Sequence, residues 1–270
     1  MVIAWHVDDG MAVASSGVLF DYLVSACAHV YKCSYVSWGK LLGFNWGIRA
    51  LHDGASIVTM AADDVLEQMR YKYFSADKVN VQPKHVYSQG IDSLVPGEEP
   101  PANSDEHAQF LAMQSETRSK IGVAAFLRDP YPGIVYAHTM VSEFMHNPSW
   151  EVAKATNHML MHLLASPRCW TAGGKHNALE ISPQELLGWQ YHATRGYLWA
   201  CVDASLRKRA ITSAMAFFNA APVDVVCQRQ ADTSPDIHSA ELKAFSTAVG
   251  RLMPLAGMLH EVGVRQLTAT

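Results

Sequence analysis

The residues in this sequence best suited to chemistry are two pairs of carboxylates. Asp8 and Asp9 are adjacent near the start, and Asp203 and Glu241 are far apart in the chain. Side-by-side carboxylates repel, so an ordered pair needs a cation or a hydrogen-bond network. Hard divalent ions take oxygen ligands of this kind, and two-metal phosphoryl transfer is a common use of them. On spacing alone, the stronger reading of Asp8-Asp9-Gly10 is an ordinary hairpin turn. Asp203 ends an apolar, strand-like run, and Glu241 falls in the expected first turn of the last helix. Two acids so placed can converge on one metal, although a glutamate near a helix start also simply complements the helix dipole. His158 and His162 have the i, i+4 spacing of a metal pair. No glutamate follows His158 in the zincin manner, however, and no third ligand is evident. Arg207-Lys208-Arg209 is a short basic cluster, suited either to a solvated turn or to phosphate contact.

The elements that must hold these residues are legible in outline. Val2 to Trp5 and Met11 to Ala14 are apolar runs around the aspartates and predict a tight β-hairpin. Ser15-Ser16 predicts a helix start, and Val18, Leu19, Tyr22, Leu23, Ala26 and Val30 then form one apolar face. Lys40 to Ile48 reads as a strand, His52-Asp53-Gly54 as a turn and Ala55 to Met60 as the return strand. Asp63 to Tyr71 reads as a helix with acids in its first turn and a base in its last. Residues 76–106, broken by Pro83, Pro96, Pro100 and Pro101, read as a long exposed loop. Helices are predicted over 106–128, 134–145 and 150–164, with Asn147-Pro148-Ser149 as the break before the last of these. Strands follow at 197–202, 214–219 and 223–227, and a final helix over 239–262.

Composition narrows the class. With 270 residues, of which 49% are hydrophobic, the chain can bury a substantial core. Its mean hydropathy is +0.01 and no run approaches a membrane span, so no membrane association is expected. The five cysteines are scattered and free of CxxC spacing, which suggests reduced thiols and an intracellular, cytoplasmic or nuclear setting. A net charge of −4 argues against a strong unspecific grip on nucleic acid. Because the chain opens on a core-like strand with no lead-in, it is expected to be the tail of something longer.

Taken in order, these segments resemble the C-terminal part of a copia-type LTR retrotransposon Pol polyprotein. The resemblance covers the end of the reverse transcriptase and the start of its ribonuclease H domain. His6-Val7-Asp8-Asp9 resembles the family's Tyr-Val-Asp-Asp motif, with histidine in place of tyrosine. Leu42-Gly43-Phe44 is similar to the Leu-Gly-Ile segment of the primer-grip region. Gln114 to Pro148 is the longest match. Within it, Arg118 to Gly122 is like Tyr-Arg-Ser-Leu-Val-Gly, Asp129 to Ile134 like Arg-Pro-Asp-Ile, and Val141 to Pro148 like Leu-Ser-Arg-Phe-Met-Asn-Pro. Val202-Asp203-Ala204 is similar to Ser-Asp-Ala-Asp-Trp, and Arg207 to Ser213 to Asp-Arg-Lys-Ser-Thr-Ser. Phe217 to Val223 resembles Phe-Phe-Leu-Gly-Gly-Ala-Pro-Val. The spacing from Arg229-Gln230 to Ala240-Glu241 equals that from the family's Arg-Gln to the last glutamate of Ser-Ser-Thr-Glu-Ala-Glu-Tyr.

The resemblance implies an α+β chain in three parts. These are a palm β-hairpin remnant in residues 1–60, a helical thumb-like middle in 61–166, and an incomplete ribonuclease H-like mixed sheet with a helix in 196–270. Residues 167–195 would be a linker. It implies that Asp8 and Asp9 are polymerase carboxylates, and that Asp203 and Glu241 are ribonuclease H carboxylates, all binding Mg²⁺ or Mn²⁺. Leu42, Gly43, Arg207, Lys208 and Arg209 would contact nucleic acid, either a primer-template or an RNA–DNA hybrid, and the rest of a Pol polyprotein would be a partner. There are departures. The family's third polymerase aspartate would precede Met1, its later ribonuclease H aspartates would follow Thr270, Ser239 replaces the first motif glutamate, and the Asp-Trp tryptophan is missing. Both active sites are therefore expected to be incomplete. Polymerase and hybrid-cleaving activities are expected to be impaired, and a non-catalytic pseudo-enzyme that binds nucleic acid or protein is the alternative.

Overall fold

The computed structural model describes residues 2–6, 9–13, 16–31, 39–50, 56–74, 83, 85–165, 198–206, 210–218 and 221–261. Over these residues the chain is a mixed α+β protein. It has one two-stranded hairpin, two three-stranded antiparallel sheets and six α-helices among the described residues.

Strands β1 (Val2–His6) and β2 (Asp9–Val13) pair antiparallel, with His6 opposite Asp9. Pairing therefore runs closer to the tip than the apolar runs suggested, and only two residues connect the strands. Asp9 opens β2 instead of sitting in the turn, and Asp8 lies outside the described residues. Helix α1 (Gly17–Val30) starts where the sequence placed it, with the Ser16 hydroxyl accepting the Leu19 N–H at 3.4 Å. Its apolar face stays in solvent: Val18, Leu19, Tyr22 and Val30 are exposed.

The expected strand from Lys40 to Ile48 is in fact a hairpin. Strands β3 (Lys40–Leu41) and β4 (Phe44–Ala50) pair across a two-residue turn at Leu42-Gly43, and β5 (Ser56–Ala61) adds on the far side of β4. Both turn residues have positive φ, 53° and 81°, as a type I′ turn requires. Glycine meets that demand without cost, whereas leucine does so against its Cβ. The sequence signal was hidden because Leu41-Leu42 reads as a continuous apolar run.

Helix α2 (Asp63–Tyr73) carries Asp63 and Asp64 in its first turn and Arg70 and Lys72 in its last. Helix α3 (Asp105–Leu127) is capped by Ser104, whose hydroxyl accepts the His107 N–H at 3.0 Å. The proline-rich segment before it is anchored where it is described, through a 3-10 turn at Ile91–Ser93 and a β-bridge between Pro96 and Pro148. Helix α4 (Val135–Ser142) ends earlier than the sequence suggested, because its last turn tightens: the Phe144 and Met145 N–H groups donate three residues back, to Val141 and Ser142. Helix α5 (Trp150–Ala165) follows, with the Ser149 hydroxyl accepting the Val152 N–H.

Strands β6 (Leu198–Ser205), β7 (Ile211–Phe218) and β8 (Ala221–Arg229) form a meander in the order β6-β7-β8, followed by α6 (Ile237–Glu261). The sheet was expected to be mixed; every pairing among the described residues is antiparallel. Helix α6 lies on one face through small side chains. Ala240, Ala244 and Ala248 meet Ala204, Ala210, Ala214 and Val226. The other face meets the helical middle. Ile211 and Cys227 join Phe44 and the buried residues of α2 to α5 in one apolar core, which crosses both expected domain boundaries. The Thr139 hydroxyl lies 2.9 Å from the Cys227 carbonyl, and Arg229 pairs with Glu143. The expected linker at 167–195 lies outside the described residues. No helix among the described residues is long and apolar enough to cross a membrane.

Candidate functional site

Strand alternation sorts the residues around Asp203. Val202 and Ala204 face α6, so Asp203 points to the opposite face, where it stands exposed opposite Ser213 in β7. Glu241 comes from α6. The helix begins at Ile237 and not at Ser239, so Glu241 belongs to its second turn and not its first. Asp236 performs the N-terminal capping. Its carboxylate accepts the Ser239 N–H at 2.8 Å and the Ser239 hydroxyl at 3.1 Å, and these bonds hold its carboxyl below the usual range. With the helix start served by Asp236, Glu241 is free of the dipole role weighed for it.

Glu241 instead reaches the sheet. Its Oε1 accepts the backbone N–H of Ala204 at 3.4 Å. That amide points away from β7, along the outer edge of β6, which has no further strand beside it among the described residues. Standard bond lengths then put Oε1 within roughly 6 Å of the Asp203 Cα. The two acids thus flank one residue, Asp203 on the face away from α6 and Glu241 over the edge. Their donor set is hard oxygen, suited to Mg²⁺ or Mn²⁺. Mg²⁺ commonly binds one or two carboxylates and completes its shell with water and substrate phosphate. No group of three or more His, Cys, Asp or Glu suited to a metal occurs among the described residues.

The other candidate residues are distributed as follows. The described pairing places Asp9 beside the hairpin tip, directly across from His6. Leu42, exposed, and Gly43 form the β3-β4 turn, which sits on α3. Phe44 stacks on Phe126 with centroids 4.5 Å apart, and a Cβ on Gly43 would approach Phe126 to 3.0 Å. Arg207, Lys208 and Arg209 lie outside the described residues. His158 and His162 do not make a metal pair. His158 Nε2 and His162 Nδ1 each lie 2.9 Å from a backbone carbonyl, of His85 and Pro83 respectively, and so tie the preceding loop to α5.

Several residues that organise the fold had no local signal in the sequence. The Gln230 side chain is buried; its amide nitrogen donates to the Thr212 hydroxyl at 3.0 Å and to the Ala240 carbonyl at 2.8 Å, and its oxygen accepts from Ser234. It thereby joins β7, the end of β8 and α6 just before Glu241. The Arg118 guanidinium donates to the carbonyls of Met145 and His146, at 3.1 and 2.6 Å. Gln114 beside it donates to Asn147 at 2.6 Å. Buried His138 donates from Nε2 to the Ile121 carbonyl at 3.2 Å. Burial, aided by the Arg128 charge and only partly offset by that bond, pushes its pKa down to about 4.

Comparisons with protein-family models, with curated proteins and with solved structures give no match for this chain.

Proposed function

We propose that the chain is a piece, or a decayed copy, of a copia-type retrotransposon Pol polyprotein, running from the end of the reverse transcriptase into its ribonuclease H domain. The observation that carries this reading is the bond from Ala204 N–H to Glu241. The resemblance matched Asp203 and Glu241 to two ribonuclease H carboxylates, and Glu241 reaches from α6 to the backbone of Ala204, the residue next to Asp203. The segments matched from Arg118 to Gly122 and from Val141 to Pro148 also meet, through Arg118 and Gln114.

The parent chemistry is RNA-directed DNA synthesis and cleavage of RNA in RNA–DNA hybrids. A bound divalent ion would there activate water against the RNA strand. Asp203 and Glu241 would hold that ion by their oxygens, and the hybrid would be recognised by backbone shape and 2′-hydroxyls. Asp8 and Asp9 would serve the polymerase step in the same way. Within the chain, His6 replaces the tyrosine of the polymerase motif, and Ser239 and Leu206 stand where the ribonuclease H motifs have a glutamate and a tryptophan, so both activities are impaired in this reading. Each ligand contributes charge and geometry to metal affinity.

A gel-shift and cleavage assay on an RNA–DNA hybrid, with and without Mg²⁺, tests the proposal. Mg²⁺-enhanced binding or slow cleavage that is lost in Asp203→Asn supports the degenerate enzyme. Metal-independent binding without cleavage supports the pseudo-enzyme alternative. Robust primer extension that depends on Asp8 contradicts the impairment.

A further inference from the structure

At the C-terminal end of α2, Tyr73 packs against α3 with its hydroxyl 2.5 Å from the Ser119 Oγ. Two ammonium groups lie over its ring: Lys72 Nζ is 4.9 Å from the centroid and Lys120 Nζ 5.3 Å. Lys120 is buried. It donates to Asn157 of α5 at 2.6 Å, pairs with Glu116 one turn back on α3, and also lies over the Phe74 ring. Glu116 neutralises one of the two cations, so the phenol faces a net positive charge from Lys72. Burial raises the phenol pKa, but the Ser119 bond, the bond and charge of Lys72 and the charge of Lys120 outweigh it and leave a net lowering. Ser119 is exposed and Tyr73 half-buried, so the oxygen is reachable from solvent while the ring is fixed.

We propose that Tyr73, Ser119 and Lys72 form an activated phenol, a covalent modification site for hard acyl and sulfonyl electrophiles. A cation beside a phenol and a hydroxyl bonded to its oxygen both favour the phenolate, the nucleophilic form. With a sulfonyl fluoride the balance is complete. The Tyr73 oxygen forms the S–O bond, the S–F bond breaks and fluoride leaves, and the phenolic proton passes by way of the Ser119 hydroxyl to water. This site is independent of the carboxylates above and needs no metal.

The test treats the full chain with benzenesulfonyl fluoride across neutral and mildly alkaline pH and maps adducts by peptide mass spectrometry. Tyr71, two positions away and 93% exposed, reports reactivity due to access alone in the same molecule. Tyr73 is expected to be labelled roughly tenfold faster than Tyr71, and Lys72→Met and Ser119→Ala are expected to remove most of that advantage. Labelling of Tyr73 no faster than Tyr71 overturns the proposal, and this ratio needs no variant to fold. An undiminished rate in Lys72→Met overturns it as well.

Discussion

Glu241 Oε1 lies 3.4 Å from the backbone nitrogen of Ala204, and so ties the second turn of α6 to the edge of the strand that carries Asp203. The contact is possible because the interface beneath it is made of alanines. Ala240 and Ala244 on the helix and Ala204 and Ala210 on the sheet let the backbones approach closely. Larger side chains at these positions would lift α6 and carry Glu241 away from the edge.

Gln230 is expected to control that approach. Replacing it with leucine leaves the Thr212 hydroxyl and the Ala240 carbonyl buried without their donor, at a cost of about 2 kcal/mol. Urea unfolding checks the value. Hydrogen exchange at the Ala204 amide, expected to accelerate more in Gln230→Leu than in Ser234→Ala, checks that the loss reaches Glu241.

The clamp around Pro148 gives a second test. Arg118→Ala removes two charge-assisted bonds to backbone carbonyls and is expected to cost about 1–2 kcal/mol. Gly97→Ala acts on the same turn, since a Cβ there would come within 2.7 Å of Phe110 and 2.9 Å of the Pro148 carbonyl oxygen. Both variants are expected to lower the thermal midpoint. Limited proteolysis is expected to find new cuts between residues 94 and 104 in both.

Burial of His138 fixes a direction of pH dependence. Its folded pKa, about 4, lies below the value near 6.5 of an unfolded histidine, so the unfolded chain binds the proton more readily. This contribution is complete above pH 6.5 and is lost as the pH falls from there towards 4, on the order of 3 kcal/mol in all. Urea midpoints of the native chain and His138→Gln, compared at pH 7.5 and 5.0, isolate it. The native chain is expected to lose more stability between the two.

The Leu42-Gly43 turn carries local strain. Leu42→Asn suits the positive φ better and is expected to stabilise the chain by about 1 kcal/mol, whereas Gly43→Ala is expected to destabilise it through both φ and the contact with Phe126. Thermal unfolding of the two variants shows the opposite signs directly.

Local rules made much of the fold legible. Ser16 and Ser149 sit at the starts of their helices because a hydroxyl can satisfy a free N–H wherever the helix is, whereas Ser104, which caps α3 in the same way, falls inside the stretch that reads as loop. The start of α6 was misplaced because Ser239-Ala240-Glu241 has the composition of a first turn, while the actual cap, Asp236, sits in a run of polar residues without apolar periodicity. The Leu42 turn was hidden by the apolar run around it. Gln230, Arg118 and Thr139 bind partners distant in sequence, and no periodicity or capping rule reaches that far. The same limit applied to the candidate site: residue types and spacing suggested Asp203 and Glu241, but that Glu241 meets the edge of β6 at Ala204 is a fact of tertiary packing.

The most direct test is a Mn²⁺ titration followed by amide NMR. The proposal expects weak, saturable paramagnetic broadening centred on Asp203, Ala204 and Glu241, abolished in Asp203→Asn and reduced in Glu241→Gln. Broadening no greater there than over the rest of the surface, or unchanged in both variants, contradicts the assignment of this pair to a ribonuclease H metal site.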